Sequence, residues 1–127
     1  MSEENVDVVR RTFAAFDRED GEAALELFDP EVEWSPTEGT YRGREGVLSS
    51  VAEWLEPWEE HHVEVEELTP AGDQVFAVIH LTGRGAGSGM EIDQRFFQLF
   101  DVRNGKITRM VEFVRRDEAL AAAGLTE

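Results

Sequence analysis

The chain has 127 residues, with 28 acidic against 12 basic side chains, a formal net charge of −16 and no cysteine. Its length suits one domain that buries a core without cross-links, and the missing thiols exclude disulfides, thiolate catalysis and cysteine metal sites. The acidic surplus argues against nucleic acid and anionic membranes, whose recognition depends on neutralising phosphates with cations, and reads as a solvated, self-repelling surface.

No apolar run approaches the roughly 20 residues that span a bilayer. The start, MSEENVDVVRR, is acidic where a signal peptide is basic, and it has no apolar segment. The expectation is a soluble, cytoplasmic protein with residues 1–127 forming a single domain.

In chain order, Val6, Val9, Phe13 and Phe16 recur at helical spacing and predict an amphipathic helix over 2–16, with acids early and arginines later as the helix dipole favours. Asp20 is placed to cap a second helix over 22–28, closed by Asp29-Pro30. Residues 32–35 read as a short strand and 36–41 as a loop. A third helix over 44–56 carries Val47, Val51, Trp54 and Leu55 on one side and stops at Pro57. Residues 62–68 and 74–82 read as strands joined by the turn TPAGD. The glycine-rich stretch 83–89 precedes no helix, so it supports no phosphate-binding loop. A terminal helix over 117–123 is closed by Gly124.

The segment 91–115 organises the rest. Asn104-Gly105 between two apolar-rich runs is a strong hairpin signal, because a type I′ turn needs positive φ at both central residues. Strict alternation then pairs Leu99 with Met110, Phe97 with Glu112, Arg95 with Val114, Phe100 with Arg109, Gln98 with Val111 and Phe96 with Phe113. On this register one face carries Arg95, Phe97, Leu99, Met110, Glu112 and Val114. The other carries Phe96, Phe100, Arg109, Val111 and Phe113, a half-polar aromatic surface suited to a homodimer interface or to a partly solvated sheet. Helices followed by an antiparallel series predict an α+β fold: a cone-shaped α+β barrel in which N-terminal helices pack on the concave face of a curved antiparallel sheet.

Such a cone has a cavity floored by the hairpin. Glu112 is the candidate general base, because desolvation among apolar neighbours raises a carboxyl pKa while Arg95, diagonally across the ladder, lowers it. The same pair also reads as a structural salt bridge. Phe13, Phe16, Trp34, Tyr41, Trp54, Trp58, Phe97, Leu99 and Met110 are the candidate ligand-binding wall, and each equally suits a core. His80 has a titration range fit for proton transfer. His61 and His62 are adjacent on a strand and cannot jointly ligate a metal, so no metal site and no cofactor are expected. The serines belong to no convincing nucleophilic set.

The stretches FDREDGEAALELFDPEVEW, YRGREGV and NGKITRMVEFVRRDEALAAAGL, in this order and spacing, resemble the SnoaL-like group of the nuclear transport factor two-like, or ketosteroid isomerase-like, superfamily along nearly the whole chain. The resemblance implies a scaffold shared by isomerases, aldol-type cyclases, epoxide hydrolases, dehydratases and non-catalytic proteins. It also implies cavity-facing odd-numbered residues around His80, which would turn His80 outward. The steroid-isomerase base would fall on Ser35, and the oxyanion-donating tyrosine near Thr12. The last-strand acid of the epoxide hydrolases falls on Glu112, while the rest of that relay falls near Ile79 and Leu81. Three functions stay open: a cofactor-independent isomerase, cyclase or hydrolase acting on a small apolar carbonyl or epoxide compound; a non-catalytic binder of an apolar ligand; and a homodimeric interaction module.

Overall fold

The computed structural model describes residues 2–37 and 39–125. Its elements are α1 (Ser2–Asp17), α2 (Gly21–Leu25), β1 (Phe28–Ser35), β2 (Tyr41–Arg42), α3 (Gly43–Leu55), β3 (Trp58–Ala71), β4 (Gln74–Gly85), β5 (Glu91–Arg103), β6 (Lys106–Phe113) and α4 (Arg116–Ala123). This is the expected α+β arrangement of N-terminal helices on a six-stranded, mostly antiparallel sheet. No helix among the described residues is long and apolar enough to cross a membrane.

The apolar stripe of α1 buries Val6 and Val9 against the sheet, and Glu3 and Glu4 occupy its first turn. Asp20 caps α2 by accepting a hydrogen bond from the Ala23 backbone at 3.1 Å. α2 ends at Leu25, short of the expected position, because Phe28 is fully buried as the first residue of β1. Arg44, at the start of α3, donates to the Phe28 carbonyl through Nε at 2.9 Å and Nη2 at 2.8 Å. That fork ties α3 to β1. Tyr41, expected in a loop, instead pairs with Trp34 in the edge strand β2, where Arg42 pairs with Glu33 and adds an ion pair to it at 2.7 Å.

The sheet runs β2-β1-β6-β5-β4-β3. Every neighbouring pair is antiparallel except β1 and β6, which run parallel. Its inner face carries the main core, where Phe28, Val32, Val75, Phe100, Ile107 and Met110 are buried with Val9 of α1 and Val47 of α3. A smaller core lies on the outer face, where Ala119 and Leu120 of α4 cover Phe76, Val78 and Leu99.

At the hairpin tip Asn104 (φ 52°) and Gly105 (φ 76°) both adopt the left-handed conformation, and Arg103 faces Lys106 as expected. The strict register then breaks. Asp101 pairs with Arg109, Phe100 with Met110, Leu99 with Val111, Gln98 with Glu112 and Phe97 with Phe113, so Thr108 is an extra residue. Its hydroxyl donates to the Asp101 carbonyl at 3.3 Å. One inserted residue exchanges the faces that two strands present to each other. The alternation-based pairs Leu99–Met110, Phe97–Glu112, Arg95–Val114, Phe100–Arg109, Gln98–Val111 and Phe96–Phe113 are corrected accordingly. The physical reason is visible in the new pairs, which join apolar to apolar and polar to polar.

Candidate functional site

A cavity of about 1050 Å³ opens between the inner face of the sheet, α1 and α3. α1 contributes Phe13 and Phe16, β1 contributes Trp34, and Tyr41 and Trp54 come from β2 and α3. The aromatic rings brace one another. Trp34 stands edge-on to Phe28 at 5.6 Å and to Phe100 at 6.1 Å, Phe13 to Phe100 at 5.9 Å, and Trp54 to Phe96 at 5.8 Å. Tyr41 donates its hydroxyl to Glu53 at 3.0 Å.

Five of the candidate wall residues therefore line the cavity: Phe13, Phe16, Trp34, Tyr41 and Trp54. The other four do not. Phe97 and Leu99 pack on the outer face against the α4 core, because the bulge leaves odd-numbered β5 residues opposite Phe113 and Val111. Met110 is fully buried within the main core beside Phe100. Trp58 begins β3 opposite Gly85, outside the lining. Conversely, Phe96, expected on the outward face, lines the cavity, and Phe100 lies in the inner core.

Glu112 faces the cavity. Burial pushes its carboxyl up to about 7 from an ordinary 4.5, against the opposing pull of hydrogen bonds from the Gln98 side chain and the Thr37 backbone. Arg95 plays no part in this. It sits opposite His80 on the other face of the sheet and forks onto Glu66 at 2.6 and 3.1 Å. That bond holds the Glu66 carboxyl below its usual range and raises the guanidinium. The expected Glu112–Arg95 pair is corrected in both its forms, catalytic and structural, since the bulge turns the two side chains to opposite faces.

The partner that alternation assigned elsewhere is Gln98. It is 9 % exposed, lines the cavity and stands opposite Glu112 on the ladder. Among the described residues its Oε1 is buried without a hydrogen-bond partner. An ionised carboxylate only accepts, so the amide turns its N–H side to Glu112 and leaves its carbonyl oxygen over. His80 faces away from the cavity, with Nε2 2.5 Å from Asp93 and Nδ1 3.6 Å from Glu66. His61 and His62 both border the cavity on β3.

Four similarities to known proteins frame this site. A family model described as SnoaL-like domain matches residues 9–110. An uncharacterized protein of Mycobacterium tuberculosis is 35% identical over 116 residues, covering 86% of this chain and 87% of that one. Among solved structures, an NTF2-like protein from Burkholderia thailandensis superposes with a TM-score of 0.79 at 27% identity, over 96% of this chain and 98% of that one. A protein of ketosteroid isomerase-like fold from Catenulispora acidiphila, solved in complex with trimethylamine, superposes with a TM-score of 0.74 at 23% identity, over 94% and 93% of the two chains.

Proposed function

This chain belongs to the SnoaL-like domain family of the NTF2-like, ketosteroid isomerase-like superfamily, and from that premise we propose that it is a small-molecule pocket protein in which Glu112 moves a proton. The observation that supports this most is a carboxyl group at about pKa 7 facing an aromatic-walled cavity, with Gln98 rather than a cation as its side-chain partner. Near neutral pH such a group is present in both protonation states, so it can take a proton from a carbon acid or water and return one. Small apolar carbonyl or epoxide compounds are the matching substrates, and the reaction class is a cofactor-independent isomerisation, cyclisation or hydrolysis. Gln98 takes the supporting place that Arg95 was expected to fill. That a chain of this fold from Catenulispora acidiphila was solved with a small organic molecule supports the pocket half of the reading.

The test is exchange of the α-protons of 2-tetralone in D2O, followed by NMR. Wild-type protein should accelerate exchange over buffer by about 10² or more, the lower end for positioned acid-base catalysis, and Glu112→Gln should remove the acceleration. Saturable binding without exchange would leave the non-catalytic pocket as the function. A homodimer through the outer sheet face at Arg109, Val111 and Phe113 accompanies the proposal, now without Phe96 and Phe100. A monomer mass by light scattering at micromolar concentration would overturn that part.

A further inference from the structure

The polar end of the cavity is built to accept hydrogen bonds. Among the described residues Gln98 Oε1 is buried without a donor, and beside it Glu112 presents a carboxyl whose partners there are Gln98 and the Thr37 backbone. A buried acceptor without a donor costs about 1–3 kcal/mol unless a ligand or water supplies one. The walls around it include the rings of Phe13, Trp34, Tyr41, Trp54 and Phe96, and aromatic rings attract cations.

The charged lining points the same way. Around the cavity, α1 places Arg10 and Asp17, the turn after it Glu19, α3 Glu53, and β3 His61 and His62. Glu64, Glu66 and Glu67 of β3 also border it, but Glu64 stands opposite His80, and Glu66 and Glu67 are bonded to Arg95 and Arg116 on the other face. Arg10 is itself engaged by Asp7 at 3.7 Å. A ligand anion would meet carboxylates and an orphan acceptor. A ligand cation with an N–H would satisfy both.

Resting on the pocket reading above, we infer that the cavity selects an organic cation, a protonated amine on an apolar or aromatic body, whose N–H⁺ bonds Gln98 Oε1 and the Glu112 carboxylate while the aromatic rings surround its carbon skeleton. Binding is then linked to the Glu112 proton. The cation favours the ionised carboxylate, so affinity is full above about pH 7 and declines as pH falls through that value.

Three probes of matched shape separate the possibilities: N,N-dimethylbenzylamine, protonated at neutral pH; isobutylbenzene, its uncharged carbon counterpart; and benzyltrimethylammonium, charged but without an N–H. Their affinities are measured by NMR titration of the whole chain at about 0.15 M salt, where attraction to distant surface charge is screened. At pH 8 the amine should bind about tenfold or more tighter than isobutylbenzene, with the quaternary ion between them, as one charge-assisted hydrogen bond implies. The advantage should decline toward pH 5. Gln98→Leu should lower amine affinity while sparing isobutylbenzene, and Glu112→Gln should remove most of the pH dependence, each variant being checked for a native circular dichroism spectrum. Equal binding of the amine and isobutylbenzene would leave the pocket standing and overturn the cation. Binding of neither, or an amine preference indifferent to both variants, would overturn the cation as well. The tetralone experiment decides the pocket reading separately.

Discussion

Gln98 stands directly across the β5–β6 ladder from Glu112, and its side-chain amide hydrogen-bonds the carboxyl that burial has pushed up to about 7. The pair occupies the inner face only because Thr108 is bulged out between Ile107 and Arg109.

Glu112 couples protonation to stability. Its folded pKa exceeds the ordinary 4.5, so its contribution is full below about pH 4.5 and is lost as pH rises through about 7. Integrated over that window, the loss is about 3 kcal/mol. Wild-type unfolding free energy by urea titration should fall relative to Glu112→Gln between pH 4.5 and pH 8, then run parallel to it. Parallel curves across the whole range would mean an ordinary, solvated carboxyl.

Gln98→Leu withdraws a donor from the ionised form of Glu112 and should move its titration upward. Hydrogen bonds to charged groups contribute about 1.5–3 kcal/mol, which corresponds to about one pH unit or more. Carbon-detected NMR of the Glu112 carboxyl reads this directly. A downward or absent movement would remove Gln98 from the site.

Arg95→Ala makes the converse prediction. Arg95 is bonded to Glu66 on the opposite face, so the Glu112 titration and any tetralone exchange should match wild type. A change in either would restore Arg95 to the site.

Deleting Thr108 removes the extra residue and leaves Asp101 opposite Arg109, Phe100 opposite Met110 and Gln98 opposite Glu112 in unbroken alternation, so Glu112 keeps the inner face. The deletion variant should keep a cooperative urea transition and a raised Glu112 titration, and Thr108→Val, which removes only the bond to the Asp101 carbonyl, should cost about 0.5–1.5 kcal/mol. A deletion variant without a cooperative transition would show that the bulge does more than set the register.

Arg44→Met should cost about 1–3 kcal/mol, because it strips two donors from the Phe28 carbonyl. It lies away from the cavity lining, so probe affinity should be retained at temperatures where the variant stays folded.

The helices, the antiparallel series from β3 to β6 and the Asn104-Gly105 turn were legible because each rests on local chemistry: a periodic stripe, a cap at Asp20, positive φ at a turn; the edge strand β2 and the parallel β1–β6 seam were not. The resemblance carried by YRGREGV acquires a structural cause in Arg44, whose fork binds α3 to β1. Glu112 was legible as a carboxylate among apolar residues, but its neighbours were not. Alternation has no term for an inserted residue, and one bulge moved Phe97, Leu99 and Arg95 off the site and brought in Phe96 and Gln98. A signal was present nonetheless. Strict pairing sets Phe97 against Glu112 and Phe100 against Arg109, whereas slipping one residue at Thr108 matches Phe97 with Phe113, Leu99 with Val111, Phe100 with Met110 and Asp101 with Arg109. Scoring both registers for like pairs would have found it. Trp58 carried no comparable signal, since a lone indole at a strand start suits a cavity and a core equally.

The parallel seam between β1 and β6 also sets an order of assembly. Phe28 meets Ile107, and Trp34 meets Met110, across most of the chain's length, and such distant pairings close slowly because chain entropy is surrendered before contacts repay it. A polypeptide emerging from the ribosome can complete α1 through β5 and still have no Glu112 and no seam. The cavity therefore comes into being only with β6, and a ligand of the proposed kind would act on the finished protein rather than on the growing one.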